Sequence, residues 1–239
     1  MSVMEPVVAQ ALIVNQLIDA LPRRERRNVL KSGELVELIF EDILYYPERK
    51  IEHVYFPSTG FISLIATIDS TKTLEVGLIG NEGMLGVQVL LGVNDSPITA
   101  LVQGEGTALR IRVESFRRLL KNNPKLQLSL QHYAYVMLAQ LTQSTLCNSY
   151  HLLESRCARW ILMSHDRAHN NQFYLKHVFL AAMLGVNRSG VTIAAGALKD
   201  QGLIGYSRGH ITILDRQGLE AASCACYRTM NTIYAQLLA

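Results

Sequence analysis

Apolar and polar positions follow three successive patterns along this chain. From Ala9 to Leu30 the apolar residues keep helical spacing, with a break at Pro22 and a charged, solvated face at Arg23-Arg24-Glu25-Arg26-Arg27. From Glu34 to Val113 short β-rich runs take over: Leu35–Phe40, His53–Phe56, Phe61–Ile68, Leu74–Ile79, Ala100–Gln103 and Ala108–Val113. Turn residues separate them at Pro47-Glu48, Pro57–Gly60, Asp69-Ser70, Gly80–Gly83, Asn94–Pro97 and Gly104–Gly106. Strands at this spacing predict a small antiparallel barrel or sandwich.

At Glu114 the pattern turns helical. Asn122-Asn123-Pro124 reads as a helix start, and no Pro or Gly follows between Lys125 and Gly185. Leu126 to Leu153 therefore predicts one helix of about 28 residues, roughly 42 Å long. Leu126, Leu130, Tyr133, Met137 and Leu141 keep a three-four spacing, and Ala134, Leu138 and Leu141 mark an adjacent seam. Two seams suit a helix that packs on its own domain and on a second copy of itself. Leu130, Tyr133, Met137, Leu138 and Leu141 are the candidate dimerisation residues; a long core helix of a monomer is the other reading. Glu154 to Met163 continues as helix, and the polar stretch His165–Gln172 predicts a loop.

The segment from Leu175 to Asp215 carries the clearest signal. A helix from Lys176 to Leu184 should stop at Gly185, because glycine accepts the left-handed geometry that ends a helix. Asn187 is placed to cap a second helix opening at Arg188. Two helices joined by a short glycine-containing turn make a helix-turn-helix. In the second helix Val191, Ala194, Ala195 and Leu198 fall on one face and point to a core. Arg188, Ser189, Thr192, Ile193, Gly196 and Lys199 fall on the other, a short-chained, mildly basic surface with no acid before Asp200. Such a face enters a major groove without repelling phosphates. Leu203–Tyr206 and His210–Leu214 then predict a hairpin with Arg208 at its tip, completing a winged helix. The candidate DNA-binding residues are Lys176, Asn187, Arg188, Ser189, Thr192, Ile193, Lys199, Arg208 and His210. A winged helix that contacts protein instead of DNA is the alternative.

Composition narrows the class. The chain has 239 residues, 49% hydrophobic and 18% charged, which fits a folded protein with a real core and not a disordered tail. The formal net charge is only +3, but from His151 onward nine Lys or Arg face five Asp or Glu, so the last third is the more basic part. There is no run of about 18 apolar residues and no leader-like start, which predicts no membrane association and a cytoplasmic location. Four cysteines in a chain of this length do not make a disulfide framework. Gly-x-Ser-x-Gly, His-Glu-x-x-His and phosphate-loop motifs are missing, so no enzyme is expected. Cys224-Ala225-Cys226 is the one close cysteine pair. Its one-residue spacing is poor for chelation, and His165 and His169 fall on a predicted loop. Neither a metal nor a cofactor is expected, with redox chemistry at Cys224 and Cys226 left open.

GVNRSGVTIAAGALKDQGLI followed by YSRGHITILD resembles the DNA-binding end of the CRP/FNR family of bacterial transcription regulators. HVYFPSTGFISLI and VGLIGNEGMLG resemble strands of that family's cyclic-nucleotide-binding-like β-roll, and the helix after Asn123-Pro124 sits where the family has its dimerisation helix. The resemblance implies an α+β fold in three parts: an antiparallel β-roll over 1–123, a dimerisation helix over 124–153 and a winged helix-turn-helix over 154–239. It implies a homodimer on a two-fold symmetric site in double-stranded DNA, with RNA polymerase as a further partner. A hinge near Leu153–Ser155 would set the spacing of the two recognition helices. The effector is not legible.

Departures from the family pattern matter as much. Cyclic-AMP-binding members carry a Gly-Glu pair for the ribose and an Arg-Ser pair for the phosphate. Here no glutamate follows Gly86 and no arginine occurs from Gly80 to Leu109. A buried phosphate without a cation loses its charge-assisted contacts, so usual cyclic-nucleotide binding is not expected. No cysteine precedes Cys147, which removes the family's iron–sulfur sensor; His53 and His132 could serve as haem ligands, but a lone histidine usually reads as an ordinary polar residue. Family members often place a glutamate after the recognition-helix arginine and a second arginine one turn later. Ser189 and Ile193 stand there instead, which implies a different target sequence.

Overall fold

A computed structural model describes residues 14–68, 72–168, 170–207 and 209–238. Two short helices open the described chain, α1 (Gln16–Asp19) and α2 (Arg23–Lys31), parted at Pro22 as expected. Five strands follow: β1 (Glu34–Leu38), β2 (Ile43–Tyr45), β3 (His53–Ile68), β4 (Lys72–Ile79) and β5 (Thr99–Arg112). They form one antiparallel sheet in the order β1-β5-β3-β4, with β2 also on β5. Helix α3 (Val113–Asn122) leads into the long α4 (Pro124–Tyr150), and α5 (Leu153–Ala168) begins the C-terminal part. There β6 (Gln172–Tyr174), α6 (His177–Leu184), α7 (Arg188–Asp200), β7 (Ile204–Ser207), β8 (His210–Ile213), α8 (Arg216–Ala222) and α9 (Ala225–Leu238) complete the fold.

Two of the expected turns are instead bends inside long strands. Pro57–Gly60 and Gly104–Gly106 lie opposite one another in β3 and β5, pairing Thr59 with Thr107 and Phe61 with Gly104 across repeated register shifts. Gly60 sits at φ +73°, and a side chain there would run into the backbone of Gly104 and Glu105. The two glycine-bearing segments approach too closely for side chains, so the pair bulges and continues where turn composition predicts a stop. The bend gives β3 two clients. Phe56, Ile62 and Leu64 pack in the roll, whereas Phe61 and Ile65 join Leu78 in the core of the C-terminal domain. The turn expected at Asp69-Ser70 lies outside the described residues.

The long helix spans 27 residues from Pro124, as its composition predicts. Its cap is not local. Asn123 spends its side chain on the Leu119 carbonyl (2.7 Å) and on an amide from Asn28 (2.9 Å). The Glu25 carboxylate takes the Leu126 N–H at 2.9 Å in its place, putting an anion at the positive helix end. One seam of α4, comprising Leu126, Leu130, Tyr133 and Met137, is buried among Val54, Phe56, Met84, Leu85 and Phe116 of the roll. Leu130, Tyr133 and Met137 are thus corrected from dimerisation residues to core residues, because their own chain already covers them.

The loop expected over His165–Gln172 is shorter than composition suggests. Helix α5 runs to Ala168, and β6 pairs with β8 to make a three-stranded sheet, β6-β8-β7. The last turn of α5 is held both from within and from outside the helix. Arg167 Nη1 donates to the Met163 carbonyl at 2.9 Å and its Nε to Glu82 at 2.8 Å, while Arg216 reaches Asp166 at 2.7 Å. The break between α4 and α5 falls at His151 and Leu152, two residues before the expected hinge.

Candidate nucleic-acid interface

Helices α6 and α7 meet at 106°, within the range of helix-turn-helix pairs. The turn is built as the residues predict. Gly185 takes φ +64° and ends α6 with its N–H on the Ala182 carbonyl. Asn187 Oδ1 accepts the Gly190 N–H at 2.7 Å and caps α7. Ser189 donates to the same oxygen at 2.9 Å, so Asn187 and Ser189 shape the helix start together. Arg156, from α5, donates to the Leu184 carbonyl at 2.5 Å and satisfies the end of α6.

The two faces of α7 separate as expected. Val191, Ala194, Ala195 and Leu198 are buried against Trp160, Ile161, Leu180 and Ile204. Arg188, Ser189, Thr192, Ile193 and Lys199 are exposed, and Ile193 is 74% exposed despite being apolar. Thr192 donates to the Arg188 carbonyl at 2.9 Å and lies 3.1 Å from His177 Nδ1. Burial, and then the charge of Arg188, push His177 below the ordinary histidine range. The ring stacks on Tyr206 at 4.3 Å, joining the first helix of the motif to the hairpin.

A second patch sits beside this one. Lys176, at the start of α6, holds its ammonium 5.4 Å from the Tyr174 ring centre. His210 packs on the edge of the same ring at 5.3 Å. Both residues are exposed, and Tyr174 brings them together although 34 positions separate them in the chain. Gly209 takes φ +82° at the hairpin turn. Arg208, expected at its tip, lies outside the described residues.

The remaining face of α4 is the other surface with a function to find. Leu138 is 62% exposed, and Leu141, Leu128, Tyr135 and Leu146 are exposed as well. No Asp, Glu, Lys or Arg occurs from Leu126 to Leu153. An exposed helix face with several large apolar groups and no charge is the signature of a contact surface.

Polar contacts fix the winged domain against the roll. Glu75 of β4 accepts from Trp160 Nε1 at 2.9 Å and from Ser63 Oγ at 2.6 Å. Burial outweighs these two hydrogen bonds and lifts the Glu75 carboxyl to about 7. Arg167 pairs with Glu82 at 2.7 Å with both side chains largely enclosed. Burial opposes the Arg167 charge, but Glu82 more than offsets it and holds the guanidinium protonated. Gln140 of α4 takes the Leu78 N–H at 3.1 Å and donates to Tyr234 of α9 at 2.8 Å.

The fold brings together a Cys and His group that the sequence spacing did not assemble. Cys147, His151, Cys224 and Cys226 offer four ligand atoms within 4.8 Å of one another. Cys224 and Cys226 are a poor chelating pair alone. Cys147 and His151, four residues apart at the end of α4, supply the other half. That i, i+4 spacing is visible in the sequence, but the approach of Cys224 and Cys226 to it is not.

Among the described residues no single helix is long and apolar enough to cross a membrane. A model of the cyclic nucleotide-binding domain matches residues 40–123, and a model of the Crp-like helix-turn-helix domain matches residues 155–222. No curated protein matches the sequence. Among solved structures the chain is similar to FixK2 from Bradyrhizobium japonicum, at 16% identity over 81% of this chain and 98% of that one, with a TM-score of 0.69. It is similar to a transcriptional regulator of the crp/fnr family from Eubacterium rectale, at 16% identity over 86% and 96%, TM-score 0.67. The c-di-GMP responsive global regulator CLP from Xanthomonas campestris gives 14% identity over 80% and 99%, TM-score 0.66. At these identities the likeness is one of fold, and it runs through the roll, the long helix and the winged domain in the same order. With both domain models matched in that order over well over half of its length, the chain belongs to the CRP/FNR family of transcription regulators.

Proposed function

We propose that the protein is a homodimeric, sequence-specific DNA-binding transcription regulator whose roll does not hold a cyclic nucleotide in the family's usual way. The observation that carries the reading is the outer face of α7, capped by Asn187 and free of acid from Arg188 to Lys199. Arg188 at its start is exposed and carries the side chain that suits a guanine O6 and N7, and Thr192 and the uncovered Ile193 suit a thymine methyl. Lys176, Lys199 and His210 suit phosphate contacts around it, and Arg208 is assigned the same role from the sequence.

Two copies of α7 must enter successive major grooves, about 34–36 Å apart. The uncharged face of α4 bearing Leu138 and Leu141 supports pairing of two chains there. In the roll, Gly86–Gly92 carries no charged residue, and Met84, Leu85 and Val89 beside it are buried in the apolar core. That composition offers a cyclic phosphate no cation. RNA polymerase is the partner through which such a dimer would act on transcription.

The test is recovery of DNA fragments from genomic DNA by the purified protein, followed by duplex titration over a range of salt. A two-fold symmetric site, bound by two chains with affinity that falls steeply as salt rises, supports the reading. Indifference to duplex at low salt overturns it, and tight calorimetric binding of cyclic AMP or cyclic GMP overturns the claim about the roll.

A further inference from the structure

Cys147 lies in the last turn of the long helix α4 and His151 directly follows it, so both project to one side of the helix end. Cys224 and Cys226 bracket the start of α9. The three cysteines are buried and His151 is the most open of the four. Cys147 Sγ lies 3.4 Å from Cys224 Sγ, and Cys226 Sγ lies 3.4 Å from His151 Nδ1. A tetrahedral zinc ion with its usual bond lengths sets neighbouring ligand atoms about 3.8 Å apart for two sulfurs and about 3.6 Å for sulfur and nitrogen. The two contacts at 3.4 Å and the 4.8 Å limit on all four atoms put them within the reach of one such ion.

The surroundings fit a metal–thiolate centre. Gln143 donates its amide N–H to Cys226 Sγ at 3.0 Å, an outer contact of the type that orients a coordinating thiolate. Arg159 is buried, only 8% exposed, and its Nε has no partner among the described residues. Arg156 likewise has a buried Nε without a partner among the described residues. Both guanidiniums act electrostatically on Cys147. Three thiolates and one neutral imidazole around a dication leave a net charge of −1, and the two arginines place positive charge beside it. The four residues fall outside both matched segments, 40–123 and 155–222.

We propose that Cys147, His151, Cys224 and Cys226 form a closed Cys3His site for a single thiophilic divalent cation of the zinc class. Binding releases the three thiol protons to solvent and forms three metal–sulfur bonds and one metal–nitrogen bond, with no change of oxidation state. The ion would clamp the end of the long helix to the C-terminal helix, and so set how the winged domain stands on α4. The site stands on its own residues and does not rest on DNA binding.

The experiment uses the full-length protein, purified under reducing conditions, with zinc measured by elemental analysis and cobalt(II) added to chelator-treated protein. One zinc per chain and an intense tetrahedral cobalt–thiolate spectrum are expected. Cys226→Ser and His151→Ala, each checked for native circular dichroism, should weaken cobalt binding at least tenfold. Melting of the wild-type protein should move to higher temperature with zinc. No metal and no cobalt spectrum would overturn the proposal, as would iron with labile sulfide. Cobalt binding unchanged in both folded variants would also overturn it. Should Cys226→Ser fail to fold, His151→Ala decides alone, because His151 is the most open ligand. A Cys147–Cys224 disulfide in protein prepared without reductant, together with failure of the reduced protein to take up cobalt, would assign the cluster to thiol chemistry instead.

Discussion

The winged domain has two faces that differ in how they are made. Its outer face, on α7, comes from one continuous stretch of thirteen residues whose helical period sorts buried from exposed positions. Its inner face is an assembly of distant parts: Trp160 meets Glu75, Arg167 meets Glu82, and Tyr234 meets Gln140. The outer face is short-chained and uncommitted within the chain, as a surface that meets an external partner must be. The inner face is held by charged and hydrogen-bonded pairs. A regulator needs both, one surface kept free to bind and one joint stiff enough to transmit the position of the roll.

The largest expected effect comes from breaking the joint. Arg167→Ala leaves Glu82 enclosed without its partner, and removing one member of a buried pair costs about 3–5 kcal/mol. Urea denaturation of the variant should show that loss. A change under 1 kcal/mol would mean that the pair is solvent-screened and the joint looser than drawn.

The two seams of α4 sharpen the comparison next. Leu130→Ala opens a hole in the roll's core and should cost about 2–5 kcal/mol, with the oligomeric state retained. Leu138→Glu lies on the exposed face and should leave monomer stability within about 0.5 kcal/mol while shifting sedimentation from two chains to one. Dimers that survive the second change would move the interface off this face.

Glu75 gives the joint a pH dependence. Its carboxyl is raised to about 7 in the folded chain, whereas an unfolded glutamate titrates near its ordinary value of about 4.3. The folded state therefore holds the extra proton between these values. The stabilisation is fully present below about pH 4 and is lost as pH rises through about 7. Part of Glu75 still meets solvent, so the amplitude is about 1–3 kcal/mol. Glu75→Gln should flatten stability across pH 5–8 (roughly the span between the two values) in thermal melts. An unchanged slope would put the titrating group elsewhere.

On the outer face the expected effect is on binding and not on stability. Arg188→Ala should cost about 1–3 kcal/mol of binding on the selected DNA site and relax one base position, with stability unchanged. Equal weakening on every sequence would make Arg188 a phosphate contact.

The legibility of these regions in the sequence follows their construction. Gly185, Asn187 and the period of Val191 to Leu198 spelled out the helix-turn-helix, because every cause acts within a few residues. The long helix was equally open, since a stretch without Pro or Gly from Lys125 onward leaves little else to form. The bends in β3 and β5 were hidden, because Pro57–Gly60 and Gly104–Gly106 have turn composition and only their close approach keeps both strands running. The seam of Leu130, Tyr133 and Met137 was visible as apolar, but what covers it was not. The Cys147, His151, Cys224 and Cys226 cluster joins residues more than 70 positions apart, which no local pattern encodes.

The carboxylate of Glu25 on the first amides of the long helix makes the opening segment a working part of the molecule. A version trimmed to begin at the first strand would lose that anion, and the shaft would fray from the end nearest the roll. Fragments meant to report on pairing or signalling should therefore keep α2, because the brace that starts the shaft is made a hundred positions earlier in the chain.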